Sequence, residues 1–245
     1  MTLGFLITTN EHSTIISLHE QLIKKLGCYQ QDLEIISSFL NCKVKRINKS
    51  SSLWYLLKKL TLSQVYEKKD HILLKKLSLR ALKSCQIHFA NYYANNYLRW
   101  IITMNQLLGI SNDFLMKELR KLCHLILSDS SLWSTFCFLI GGSNEKHFEF
   151  VIFELSQVTN SNFQFDNTNK VDYQNIIIDE FKWLINVQCH YLSPFKLLIQ
   201  SCESIEILQL IKLKSQDIKF DEKLRIEIIK LIDFQISILQ TKSTT

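Results

Sequence analysis

The chain has 245 residues, 47% of them aliphatic, aromatic or Cys and 21% charged, so it is long enough to bury a core and too apolar to stay unfolded. One Pro and five Gly exclude a strand-rich fold, whose tight turns depend on those two residues, and leave long helices joined by polar loops. The net charge of +6 is unevenly spread: residues 1–90 hold fourteen Lys/Arg against six Asp/Glu, and the remainder is slightly acidic.

Met1 to Ser13 carries no basic stretch followed by a long apolar run, so no signal peptide is expected there. Thr14 to Leu26 places Ile15, Ile16, Leu18, Leu22, Ile23 and Leu26 at helical spacing, and Gly27 follows as a stop. Asp32 to Leu40 repeats the pattern, and the polar, basic stretch from Asn41 to Ser52 is expected to contain a loop. Further helices are predicted over Leu53 to Tyr66, His71 to Phe89, Tyr92 to Leu108 and Asn112 to Ser128, the last capped by Ser111 or Asn112. Leu132 to Ile140 ends at Gly141-Gly142, and Glu145 to Gln157 follows. Residues 159–172 are Asn-rich and weakly patterned, which predicts a flexible insertion. Tyr173 to Cys189, Pro194 to Cys202, Ile205 to Leu213 and Asp221 to Gln240 complete an all-α chain.

No apolar run approaches the roughly 20 residues that a membrane helix needs, so no membrane span is expected. The seven cysteines are scattered through apolar stretches, which suits packed thiols in a cytoplasmic protein better than a disulfide framework. Cys123-His124 and Cys189-His190 lack the spacing of zinc ligands on one helix face, so no metal site is expected in this chain. A Gly-rich phosphate loop and a nucleophile elbow are missing as well.

A short pattern recurs: a polar residue, then, four positions on, a bulky side chain opening a helix. It reads Ser50 to Trp54, Asp129 to Trp133 and, more weakly, Tyr191 to Phe195; between the first two lies Asn91 to Asn95, followed by Tyr97, Arg99 and Trp100. The fifth positions are 41, 38 and 62 residues apart, the last interval spanning the Asn-rich segment. Such a polar residue can cap a helix, and a Trp in its first turn can join successive hairpins.

These segments resemble the helical-hairpin repeat of protein prenyltransferase alpha subunits, in which the second helix opens Asn-Tyr-x-x-Trp-x-x-Arg-Arg. Asn91-Tyr92-Tyr93-Ala94 with Arg99-Trp100 is the closest copy, and Trp54 and Trp133 hold the corresponding place in two others. Asn95 stands where the family has Trp, and Leu57, Leu98, Phe136 and Leu198 where it has its first Arg. The resemblance implies an α-α superhelix over residues 1–245, acting as the alpha-type subunit of a heterodimeric protein prenyltransferase. It also implies a zinc-bearing beta subunit as partner, with farnesyl or geranylgeranyl transfer to a protein cysteine and no cofactor in this chain. A Rab-type beta subunit is one form of that partner. By position Tyr92 would face the isoprenoid diphosphate, while Asn91, Arg99, Trp100, Trp54 and Trp133 would build the repeat and partner interface. The family's Lys beside that Tyr is Ala90 here, and His88 is the nearest preceding group that could carry a charge.

Two other readings fit the residues alone. A non-enzymatic α-solenoid could bind proteins along its concave face. A basic helical nucleic-acid binder would rest only on the N-terminal charge surplus, with no Arg-rich or Arg/Gly tract behind it, and nucleic acid is not an expected partner.

Overall fold

The computed structural model describes residues 2–68, 71–141, 145–159 and 173–243. Among these the chain is entirely helical: α1 (Thr2–Thr8), α2 (Ser13–Leu26), α3 (Tyr29–Phe39), α4 (Lys45–Asn48), α5 (Ser51–Lys68), α6 (His71–Ile87), α7 (Tyr92–Leu107), α8 (Asp113–Leu125), α9 (Ser130–Ile140), α10 (Glu145–Thr159), α11 (Gln174–Asn186), α12 (Leu192–Ser201), α13 (Ile205–Ser215) and α14 (Glu222–Ser243). The flexible insertion expected at 159–172 lies outside the described residues except for Thr159, the last residue of α10. No described helix is long and apolar enough to cross a membrane.

Local chemistry explains where the helices start and stop. Gly27 ends α2 at φ 67°, a left-handed conformation that Gly adopts without strain, and its N–H donates to Ile23 O at 2.9 Å. Asp129 accepts from the N–H groups of Ser131 and Leu132, and Ser204 and Asp221 cap α13 and α14 in the same way. Of the two caps expected for α8, the Ser111 hydroxyl accepts from Asp113 N at 3.1 Å. Asn112 turns back to α7 instead, donating to Ile102 O and accepting from Asn105.

The chain forms two compact units. The first comprises residues 1–122 and 145–167; α3, α6, α7 and α10 pack around the central α5, and α1 pairs with α2. Its core holds Leu33, Ile36, Leu53, Leu56, Leu98 and Trp100, each no more than 1% exposed. The second comprises residues 123–144 and 168–245. There α12 packs on α9 and α14, and α13 on α11 and α14, around Trp133, Phe136, Phe181 and Phe195, all fully buried.

Candidate functional site

The sequence motif at Asn91 lies at the corner between α6 and α7. Ala90 closes that corner at φ 51°, a left-handed backbone that a Cβ makes unfavourable. Lys49 reinforces it by donating to Phe89 O at 2.7 Å and Ala90 O at 3.2 Å. Asn91 is completely buried and uses both ends of its amide. Oδ1 accepts from Ala94 N, while Nδ2 donates to Asn48 Oδ1 at 2.6 Å and Ser84 Oγ at 3.0 Å. Asn95 then donates to Asn91 O at 2.9 Å, so one polar network joins α4, α6 and α7. Tyr92 and Tyr93 point outward, 59% and 38% exposed, with their rings edge to face at 5.6 Å.

Trp54, Tyr97 and Trp100 form a continuous aromatic row between α5 and α7, with ring centroids 5.4 and 5.6 Å apart. The Tyr97 hydroxyl meets Thr61 Oγ1 at 2.8 Å, and Trp54 Nε1 donates to Asn48 O at 2.8 Å. This row and the Asn91 network bring five of the expected residues, Trp54, Asn91, Tyr92, Arg99 and Trp100, to adjoining turns of unit 1. Trp133 belongs to unit 2, where it is fully buried and meets Phe136 edge-on.

A polar cluster that sequence reasoning missed borders the row. Lys58 lies 5.5 Å from the Trp100 ring centre and 4.7 Å from that of Phe150, and it pairs with Glu154 at 2.7 Å. Burial pulls the Lys58 ammonium below its ordinary range, against the opposing pull of Glu154. His147 is likewise lowered, by burial first and then by the charges of Lys58 and Arg99. Arg99, bonded to Asn96, is lowered by burial. One signal in the sequence pointed here: Lys58 is four residues from Trp54 and three from Thr61, which places a cation on the core-facing side of α5.

In unit 2, His124 at the end of α8 meets the fully buried Glu180 at 2.7 Å and stacks on Trp183 with ring centres 3.5 Å apart. His190 is turned toward Asp221 at 3.6 Å. No disulfide joins any of the seven cysteines; burial pushes the Cys137 thiol up to about 12 and the Cys202 thiol to about 11, which suits packing groups better than nucleophiles. No cluster of three metal-ligating side chains occurs among the described residues.

The family comparisons correct the resemblance drawn from the motif. The ECM9 N-terminal domain matches residues 1–41 and the ECM9 middle domain residues 53–162. The chain is also 30% identical over 224 residues to Protein ECM9 of Saccharomyces cerevisiae, covering 82% of this chain and 56% of that relative. It therefore spans little more than half the length of the curated relative it matches. No solved structure matches it. The assignment to prenyltransferase alpha subunits is replaced, and with it go prenyl transfer, the prenyltransferase beta subunit with its zinc, the isoprenoid diphosphate and the cysteine-bearing substrate. The physical reason lies in what carried the likeness. Ser50, Asn91 and Asp129 cap helices and Trp54, Trp100 and Trp133 fill cores, tasks that helical-hairpin proteins share whatever their chemistry. The position of the family's cation is a strained corner residue, Ala90. Two domain models in chain order and the yeast relative instead point to the ECM9 family.

Proposed function

We propose that this chain is an ECM9-type, non-enzymatic scaffold that binds other proteins. The observation that carries this reading is a row of large apolar side chains left outside on a helix that already buries another face. On α2, Leu18, Leu22 and Leu26 recur every fourth residue at 45%, 36% and 74% exposure, while Ile16 and Ile23 point into the core. Scattered exposed leucines mean little, but a row at one-turn spacing forms a contiguous strip of the kind that protein partners cover. Leu210 and Leu213 on α13 are exposed in the same way, at 50% and 62%. A cytoplasmic setting is part of the proposal, since seven cysteines without a disulfide among them suit a reducing compartment.

Affinity purification of the tagged chain from its native cells tests the reading. The expected result is a stoichiometric protein partner whose recovery falls with Leu22→Asp while the melting temperature stays near that of the unmodified chain. Recovery of the chain without any stoichiometric protein overturns it.

A further inference from the structure

We infer that the corner between α6 and α7, together with α4, is a docking surface for an acidic protein segment that also carries apolar side chains. This deepens the scaffold reading and rests on it. The surface is assembled by contacts already described: Asn48 to Asn91 at 2.6 Å and Lys49 to Phe89 O at 2.7 Å fix α4 against the corner. Four large apolar side chains are presented there, Val44, Phe89, Tyr92 and Tyr93, with exposures of 53%, 57%, 59% and 38%. Lys43 and Lys45 are exposed on the α4 side, and Lys49, one turn beyond Lys45, reaches the corner through its bonds to Phe89 O and Ala90 O.

Charge supplies the second observation. Residues 35–66 and 71–112, which include α4, α6, α7 and all of α5 but its last two residues, contain eleven Lys/Arg and no Asp or Glu. Four of these eleven cations are met by carboxylates that come from outside the two stretches: Lys58 by Glu154, Lys59 by Glu20, and Lys76 and Arg80 by Glu34. Glu11, which approaches the start of α5, is bonded to the Ser51 and Ser52 hydroxyls at 3.0 and 2.7 Å. An aromatic centre rimmed by lysines has the layout of a protein interface, with Tyr at its core and charge at its edge. An acidic, apolar segment complements both parts.

A single-stranded nucleic acid is the weaker fit. The Tyr92 and Tyr93 rings stand at 78° and offer no common plane on which successive bases could stack. The guanidinium on α4, that of Arg46, donates to the Thr8 and Ile7 carbonyls, which occupies the fork that would grip a phosphate in bidentate fashion.

The test is fluorescence titration of the whole chain with a synthetic peptide alternating Asp or Glu with Leu and Phe. Comparison probes are the same peptide with Ser at each acidic position, poly-glutamate, oligo-uridine RNA and phosphatidylserine vesicles. The acidic-apolar peptide is expected to bind best, and to weaken as salt rises. Its affinity should fall about five-fold or more, roughly 1 kcal/mol, in each of Lys45→Glu, Phe89→Ser and Tyr92→Asp. All three residues are exposed and lie outside the Asn91 network, so circular dichroism melts should match the unmodified chain; agreement of two folded variants suffices if one fails. Equal binding of the Ser peptide, tighter binding of RNA or vesicles, or affinity unchanged in folded variants overturns the proposal. The same variants separate it from the scaffold reading. A native partner still recovered with Tyr92→Asp but lost with Leu22→Asp overturns this surface alone, whereas no partner on the unmodified chain overturns the scaffold.

Discussion

Asn91 illustrates how one side chain can order several helices. It is fully buried, it caps α7, and its amide donors reach both Asn48 and Ser84. Asn91→Ala removes the cap and strands two buried acceptors, so a loss of about 2–3 kcal/mol in urea unfolding is expected. Tyr92→Ser, next in sequence but exposed, should stay within about 0.5 kcal/mol. A cap of this kind was legible in the sequence, since Asn before an apolar-periodic run is a start signal. Its reach to Asn48, 43 residues away, was not, because nothing in the spacing tells which loop a buried amide will meet. The prenyltransferase likeness arose from the same ambiguity: a capping Asn and a packed Trp look alike whether they serve a fold or a reaction.

Histidines add a pH dependence at this scale. His19 is buried against Thr2 and Asp32, and burial lowers its pKa despite the opposing pull of Asp32. His147 is lowered by burial and by Lys58 and Arg99. Both therefore stay neutral in the folded chain at a pH where the unfolded chain takes up protons, near the ordinary histidine value of about 6.5. The unfolded state then binds more protons, and stability falls as pH drops below that value toward each folded pKa. Melting temperature should decline from neutral pH to mildly acidic pH, and the decline should be shallower in a His19→Asn and His147→Asn double variant. An unchanged slope would remove these two groups from the account.

Among elements, α5 is the organiser of unit 1, and it carries a charged residue where an apolar one would be expected. Lys58 holds α10 through Glu154, with both side chains only about one-sixth exposed at 16% and 15%. Lys58→Met leaves Glu154 partly buried without this cation and should cost about 1–3 kcal/mol, part of which Glu154→Leu in the same chain should restore. In unit 2, Gly141 ends α9 where a Cβ would stand 2.9 Å from both Cys137 O and the Ser201 Cβ. Gly141→Ala must push α9 and α12 apart, and a destabilisation of about 1–3 kcal/mol is expected from thermal melts. Twelve of the helices fall within about three residues of their sequence-predicted ends, because long amphipathic runs advertise themselves. The two short helices escaped notice for opposite reasons. α4 has four residues, two of them basic, and is held by tertiary bonds from Asn48 and Lys49. α1 has seven residues and only Leu6 buried, too little for a periodic signal.

For the whole molecule, composition alone was enough to fix the all-helical class, since five Gly and one Pro cannot supply the turns of a sheet protein. Family membership was not legible, because the features that recur along the chain are those of helical packing in general. The scaffold reading itself is tested most directly by native mass spectrometry of the chain purified gently from its own cells. A species heavier than 28.9 kDa, containing one copy of the chain and a second protein, is the expected result, whereas the 28.9 kDa chain alone would contradict it.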